Sequence, residues 1–277
     1  MPDIKFADLH LHTYYSDGTF SPKELLERSQ AAGLSCIAIT DHDTVDGLGE
    51  AFSLKPEEIE LIAGIELSCD LDNREVHILG YFIDYKNDEL LDKLNKIKEY
   101  RIERIYLMVD KLKEMKVDIS AGEVLELSKL GTVGRLHIAR VLLEKEIISN
   151  IREAFIKFIG EDCPAYVANF RLSVKEAIQT IIKFGGVAVL AHPYTLANDD
   201  MISKFADFGL KGIEVYYPEH TRFQVLHYKT LADSLGLVCT GGSDCHGQLK
   251  ENIKVGSVRI PYEIVDKLKK AKYELKP

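Results

Sequence analysis

Short apolar runs recur along this chain, and helical patterns separate several of them. Ser35 to Thr40, Ile59 to Ile65, Glu75 to Gly80, Gly186 to Ala191, Gly212 to Tyr217 and Leu237 to Gly241 each read as a strand bounded by turn residues. Before the second strand, Ser21 caps a helix that starts at Pro22 and carries Glu24 in its first turn. Leu25, Leu26 and Ala32 give that helix its apolar face, and Gly33 ends it. Two further helices run from Val174 to Phe184, closed by Gly185, and from about Thr221 to Leu235, closed by Gly236. Strands alternating with helices predict a parallel sheet. Continuous apolar runs such as Cys36-Ile37-Ala38-Ile39 suit strands buried on both faces.

The first strand, Phe6-Ala7-Asp8-Leu9-His10-Leu11-His12, alternates instead. Side chains switch faces along a strand, so His10 and His12 share one face, with Leu9 and Leu11 on the other. From about Asp88 to Pro164 the rhythm breaks. Leu90, Leu91, Leu94, Ile97, Ile102, Ile105, Leu112 and Met115 form a helical stripe among Lys, Glu and Arg. Ser120 to Leu127 and Arg135 to Ile148 read as further helices. The expected organisation is a barrel domain from residues 1–87 and 165–277, with a helical insertion at 88–164 placed as a lid.

Polar residues gather where the strands end. The first strand delivers His10, His12 and, past its turn, Asp17. The second ends in Asp41-His42-Asp43 and the third at Glu66. His77 lies in the fourth, His192-Pro193 follows the fifth, and Ser243-Asp244-Cys245-His246 follows the last. A closed α/β barrel builds its site at strand C-termini, so a barrel is favoured over an open sheet. Neither GxGxxG nor a P-loop is present. The nine donors His10, His12, Asp17, His42, Glu66, His77, His192, Asp244 and His246 exceed the needs of one ion. They would serve two or three divalent cations, with the two oxygens of Glu66 suited to bridging. Imidazole and carboxylate without thiolate fit Mn, Fe or Zn.

Composition narrows the function. With 277 residues and 46% hydrophobic content the chain can bury a large core, and a formal charge of -9 argues against broad nucleic-acid or anionic-membrane binding. Five scattered cysteines without CxxC spacing suggest a reducing cytoplasm rather than a disulfide framework. No signal pattern opens the sequence, and no apolar run approaches the roughly 20 residues a bilayer span needs.

Taken in order, Asp8-Leu9-His10-Leu11-His12, Ser16-Asp17-Gly18, Thr40-Asp41-His42-Asp43, Gly64-Ile65-Glu66, His77, Ala191-His192-Pro193 and Ser243-Asp244-Cys245-His246 resemble the PHP (polymerase and histidinol phosphatase) family over nearly the whole chain. The resemblance implies a distorted (β/α)7 barrel and a trinuclear metal centre, Mn first among the candidates. By position it implies one ion on His10, His12, Glu66 and Asp244, a second on Glu66, His77 and His192, and a third on Asp17, His42 and His246. Gly134-Arg135-Leu136-His137-Ile138-Ala139, the stretch Gly185 to Pro193, and Glu214 to Thr221 are similar to members with a helical insertion. Those members include nucleoside 3′,5′-bisphosphate phosphatases and 5′→3′ exoribonucleases.

The implied activity is hydrolysis of a phosphate monoester by a metal-bridging hydroxide, most directly the 3′-phosphate of a nucleoside bisphosphate, with short RNA as a second substrate. Alternatives are a phosphodiesterase or phosphatase acting on a cyclic or sugar phosphate, histidinol phosphatase, and a non-catalytic PHP module. Arg135 and His220 match positions expected to contact phosphate, and His220 would bind it or protonate the leaving oxygen. Two departures stand out: Leu136 replaces a proline, and Tyr194-Thr195 stands where Gly-Arg is common, so one phosphate-binding arginine is missing.

Among the remaining candidates, Asp41 is expected to orient a histidine from behind and Asp43 to serve a turn. Cys245 should face away from the site. His137, two residues after Arg135, joins either the site or the helix packing. His227 reads as structural or exposed, Arg171 and Lys175 as a basic rim or solvated charge, and Tyr216 and Tyr217 as a base-stacking surface of which one ring must face the barrel wall.

Overall fold

The structure, a computed structural model, describes residues 4–128, 131–168, 172–196, 198–249 and 252–274. Arg171 lies outside the described residues. The chain runs β1 (Phe6–Leu11), α1 (Pro22–Ala31), β2 (Cys36–Ile39), α2 (Asp46–Leu54), β3 (Glu60–Leu71) and β4 (Arg74–Tyr81). The insertion follows as α3 (Asp88–Glu114), α4 (Ala121–Glu126), α5 (Arg135–Glu144), α6 (Ile151–Ala154) and a π turn at Phe155–Ile159. Then come α7 (Val174–Lys183), β5 (Val187–Leu190), α8 (Met201–Asp207), β6 (Gly212–Tyr216), α9 (Arg222–Leu235), β7 (Val238–Gly241), β8 (Ile260–Pro261) and α10 (Glu263–Glu274). Ser21, Ser120, Ser173 and Thr221 each close a reciprocal capping box at the start of α1, α4, α7 and α9.

The eight strands form one sheet in the order β7-β6-β5-β4-β3-β2-β1-β8. It curls into a nearly closed barrel: past β7, the Asp244 N–H donates to the His10 carbonyl at 2.8 Å, and the His12 N–H donates to the Cys245 carbonyl at 3.1 Å. The sheet is mixed, not all parallel as the alternation of elements predicts. β4 runs antiparallel to both β3 and β5. Asp72 and Asn73 join β3 to β4 with φ of 54° and 66°. Two positive-φ residues make the tight hairpin turn whose twist matches that of the strands. Because β4 is reversed, its beginning lies at the barrel end where the parallel strands finish, which brings His77 to the others.

Alternating side chains sort into two layers. Ile37 and Ile39 of β2, Leu61, Ala63 and Ile65 of β3, and Ala188 and Leu190 of β5 pack outward against α1 and α7. Cys36, Ala38, Ile62, Leu79, Tyr81, Val187 and Val189 face inward, where Val265 and Leu268 of α10 join them at the lower end. Continued toward the other end, the inward column becomes polar: Ile62 and Gly64 lead to Glu66, and Tyr81 and Leu79 lead back to His77 and Glu75. A bulge in β1 between Asp8 and Leu11 shifts the parity. Leu9 therefore joins the inner cluster and Leu11 the outer one, instead of sharing a face. His10 and His12 both remain directed into the barrel. The insertion has its own apolar cluster, built from residues between Ile105 and Ala165. α3 belongs to both, giving Leu90, Leu94 and Ile97 to the barrel side and Met108, Val109 and Leu112 to the insertion.

Candidate metal centre

Glu66 stands at the middle of the polar end, fully buried. Its Oε2 lies 3.1 Å from His10 Nε2, 3.2 Å from His12 Nε2 and 3.2 Å from His42 Nδ1. Its Oε1 lies 2.9 Å from His77 Nδ1 and 3.1 Å from His192 Nε2. Asp244 Oδ1 lies 3.1 Å from His12 Nε2 and 3.4 Å from His10 Nε2. Asp17 faces His246 Nε2 at 3.3 Å and His42 Nε2 at 3.8 Å. All nine expected ligands therefore converge. Three donor groups, His10-His12-Glu66-Asp244, His12-Asp17-His42-His246 and His42-Glu66-His77, each fit within the span of one ion. His192, expected with Glu66 and His77, lies beside that last group, with 3.2 Å between His77 Nδ1 and His192 Nε2.

Backbone geometry aims several of these groups. His192 and Asp244 hold φ of 25° and 51°, a region L-residues rarely adopt, and each turns its side chain at a strand end. Behind the ligands stand acceptors that place the imidazole protons. Glu214 Oε1 takes His10 Nδ1 at 2.9 Å, Glu75 Oε1 takes His77 Nε2 at 2.9 Å, and the Asp244 carbonyl takes His246 Nδ1 at 2.9 Å. Each such bond leaves the opposite ring nitrogen with a lone pair facing the centre. The other oxygen of Glu214 accepts the His192 N–H at 2.8 Å.

The polypeptide alone does not satisfy this cluster. His12 Nε2, Asp17 Oδ1 and His42 Nδ1 are buried without a hydrogen-bond partner, although each lies beside another candidate ligand. Burial would raise the Glu66 and Asp17 carboxyls, yet the surrounding imidazoles hold both well below the usual range. Burial works against a charged His12 or His77, but the facing carboxylates lift them to about 9 and about 10. A crowd of opposed acids and bases with orphaned donor atoms is what divalent cations resolve, by taking the lone pairs and displacing the protons. The residues fit such ions.

The cavity over this centre is about 170 Å³ and is lined by ligand candidates together with Glu75, Arg101, Arg104, Arg135 and Phe155. Arg135 Nη2 pairs with Glu75 Oε2 at 2.7 Å, and its guanidinium lies against the Phe155 and Tyr166 rings. Arg101 ties the insertion to the barrel through Asp43 at 2.6 Å and Ser68 Oγ at 2.7 Å. Asp43 thus does more than serve its turn.

Three expected site residues are placed differently. Asp41 has no hydrogen bond to a histidine ring; it accepts from Thr13 N, Thr13 Oγ1 and Ser16 Oγ at 2.6 to 2.7 Å and so shapes the loop that carries Asp17. His137 is buried in the insertion, and its Nδ1 accepts the Gly134 N–H at 3.1 Å, so it caps α5. His220 lies outside the cavity among Tyr194, Tyr217 and Tyr228. Its Nδ1 proton goes to the Val215 carbonyl at 2.9 Å, and burial lowers its pKa. That neutral form carries no proton on Nε2 for a leaving group. Tyr217 donates to Asp244 Oδ2 at 2.8 Å, and Tyr216 packs against both barrel layers, so neither ring is an open stacking surface. Cys245 faces away from the centre, as expected, with its Sγ toward the Ile253 carbonyl. His227 is exposed and pairs with Asp199 at 2.8 Å.

Glu75, Arg101 and Arg104 carry no motif, and Glu214, though it opens a stretch that resembles the family, takes no role from that resemblance. The signal of the two carboxylates in the sequence is their parity: Glu75 is two residues before His77 on the inward face, and Glu214 is on the inward face of its strand.

The family profile of the PHP domain matches residues 8–162. A 3′,5′-nucleoside bisphosphate phosphatase of Chromobacterium violaceum is 32% identical over 246 residues, 86% of each chain. A phosphoribosyl 1,2-cyclic phosphate 1,2-diphosphodiesterase of Eggerthella lenta is 31% identical over 261 residues, 92% of this chain and 98% of that one. Among solved structures, a proposed metal-dependent phosphoesterase from Bifidobacterium adolescentis superposes with a TM-score of 0.87 at 29% identity, covering 98% of both chains.

Proposed function

The chain belongs to the PHP domain family and is a metal-dependent hydrolase of phosphate esters, and from that premise we propose that it removes the 3′-phosphate of a nucleoside 3′,5′-bisphosphate. The observation that carries the proposal is Arg135. A guanidinium from the insertion shares one small cavity with seven of the nine ligand candidates, Asp17, His42, Glu66, His77, His192, Asp244 and His246. About 170 Å³ is less than ligand pockets usually offer, so one phosphoryl group fits within and the rest of the substrate extends outward. Divalent cations bound here, Mn foremost and Fe or Zn also compatible, supply an activated water and neutralise phosphoryl charge.

The chain's own groups do the positioning. Arg135 binds an anionic phosphate through its planar fork, held flat by Phe155 and Tyr166. Tyr217 steadies Asp244, and Glu214 and Glu75 orient His10 and His77. Short RNA with a 5′ end at the same cavity is a second substrate on this reading. The five cysteines are free, consistent with a reducing compartment such as the cytoplasm. Among the described residues no helix is long and apolar enough to cross a membrane.

A cyclic phosphate is the alternative substrate. Tyr194-Thr195 provides no second arginine for a second phosphate, and a relative of similar identity is named for a cyclic phosphodiester. Phosphate release from 3′-phosphoadenosine 5′-phosphate, 5′-AMP and a ribose 1,2-cyclic phosphate, measured with added Mn on protein of known metal content, tests the choice. Release of one phosphate from the bisphosphate, leaving 5′-AMP, supports the proposal. Preference for the cyclic ester overturns it in favour of the alternative.

A further inference from the structure

We propose that Glu75 is a positioning residue that couples the insertion to the metal centre, one oxygen setting His77 and the other holding Arg135. It rests on reading His77 as a metal ligand. Glu75 Oε1 lies 2.9 Å from His77 Nε2, and Glu75 Oε2 takes Arg135 Nη2 at 2.7 Å and Arg104 Nη2 at 3.4 Å. The side chain is only 9% exposed, and the Glu75 backbone N–H is fixed by Glu161 Oε1 at 2.8 Å, immediately past the π turn of the insertion. Every group it touches is tied to the centre or to the lid.

The chemistry follows from the two oxygens. An imidazole binds a cation through its lone pair only when its proton sits on the other nitrogen. Glu75 accepts that proton's hydrogen bond, so His77 Nδ1 presents its lone pair toward Glu66 and His192. Two guanidiniums on the opposite oxygen keep Glu75 anionic and fix its plane. Removing either end disturbs the other. A guanidinium drawn outward by substrate phosphate loosens Glu75, and a loosened Glu75 weakens the hold of His77. The insertion therefore contributes to metal retention as well as to substrate binding.

The test uses metal content, which needs no substrate. Full-length wild type, Glu75→Gln, Glu75→Asp, Arg135→Ala and Glu161→Gln are loaded with Mn, dialysed against graded chelator and assayed for bound metal, with circular dichroism as a fold check. Glu75→Gln should release metal at roughly 10- to 100-fold lower chelator concentration. Metal held by His10, His12 and Asp244 should stay, which also reports an intact barrel. Glu75→Asp keeps the charge but is one carbon shorter and cannot span both partners; it should fall between wild type and Gln and serves if Gln does not fold. Arg135→Ala should loosen metal by a smaller factor, and Glu161→Gln should match wild type.

Wild-type retention in both Glu75 variants would overturn the positioning role. Wild-type retention in Arg135→Ala alone would overturn the coupling. A wild-type protein that binds no metal would overturn the reading of the centre itself and this proposal with it. Failure to hydrolyse a bisphosphate touches only the substrate assignment.

Discussion

At the scale of single residues, Glu66 and Asp17 serve different neighbours. Glu66 meets five imidazoles, while Asp17 meets His42, His246 and, at 3.9 Å, His12. Replacing Asp17 by Asn or His77 by Ala removes one donor from separate groups. Each variant should fold, bind less metal than wild type and lose roughly 100-fold or more in turnover with the preferred ester; wild-type turnover in metal-replete protein would refute the ligand assignment.

His137 makes a pH prediction. Burial takes its pKa to about 4, under the ordinary 6.5. The folded chain thus stays unprotonated where the unfolded chain takes up a proton. The stability this group contributes is complete above about pH 6.5 and is lost as pH falls toward 4, by about 3 kcal/mol in all. His137→Gln keeps an acceptor for the Gly134 N–H and does not titrate. Denaturant midpoints of metal-stripped protein at pH 7 and pH 5 should drop less for the variant than for wild type.

At the scale of elements, the insertion is fastened to the loops that carry Asp17 and His42. Thr132 donates its N–H to the Tyr15 carbonyl at 2.9 Å and its hydroxyl to the His42 carbonyl at 2.6 Å. Beside it, a Cβ on Gly131 would lie 1.5 Å from the Tyr15 carbonyl oxygen, so Gly131→Ala must push two backbone segments apart. It should cost about 1–3 kcal/mol and lower the thermal midpoint. Gly49→Ala in the exposed interior of α2 meets nothing within 4 Å and should raise the midpoint.

Much of this architecture is legible in the sequence. The apolar runs mark β2 and β5, and Ser21-Pro22 marks the start of α1, because those signals act within a few residues. Six of the nine ligand candidates follow strand ends or turns for the same reason, while His10, Glu66 and His77 lie inside β1, β3 and β4. The reversal of β4 is hidden, because Asp72-Asn73 lacks the glycine that usually announces a hairpin and β4 alternates like any half-buried strand. Glu75 is hidden too. A buried carboxylate looks like a solvated one until Arg104 and Arg135, 29 and 60 residues further on, are folded against it. His220 misleads because its position suggests proximity, whereas its ring is turned back toward the Val215 carbonyl of the preceding strand.

For the molecule as a whole, two apolar clusters share α3, whose 27 residues extend about 40 Å. The same helix brings Arg101 and Arg104 from the insertion's side to the cavity. The barrel, by contrast, is closed by distant parts of the chain: β1 pairs with β8, and the loop after β7 hydrogen-bonds back to the end of β1. This closure has a consequence for the protein's making. His10 and His12 leave the ribosome some 230 residues before Asp244 and His246. At roughly 5–20 residues per second, the early histidines wait on the order of ten to fifty seconds for their counterparts. A nascent chain therefore holds only a fragment of the donor set until Asp244 and His246 have emerged, and a complete centre cannot assemble before then.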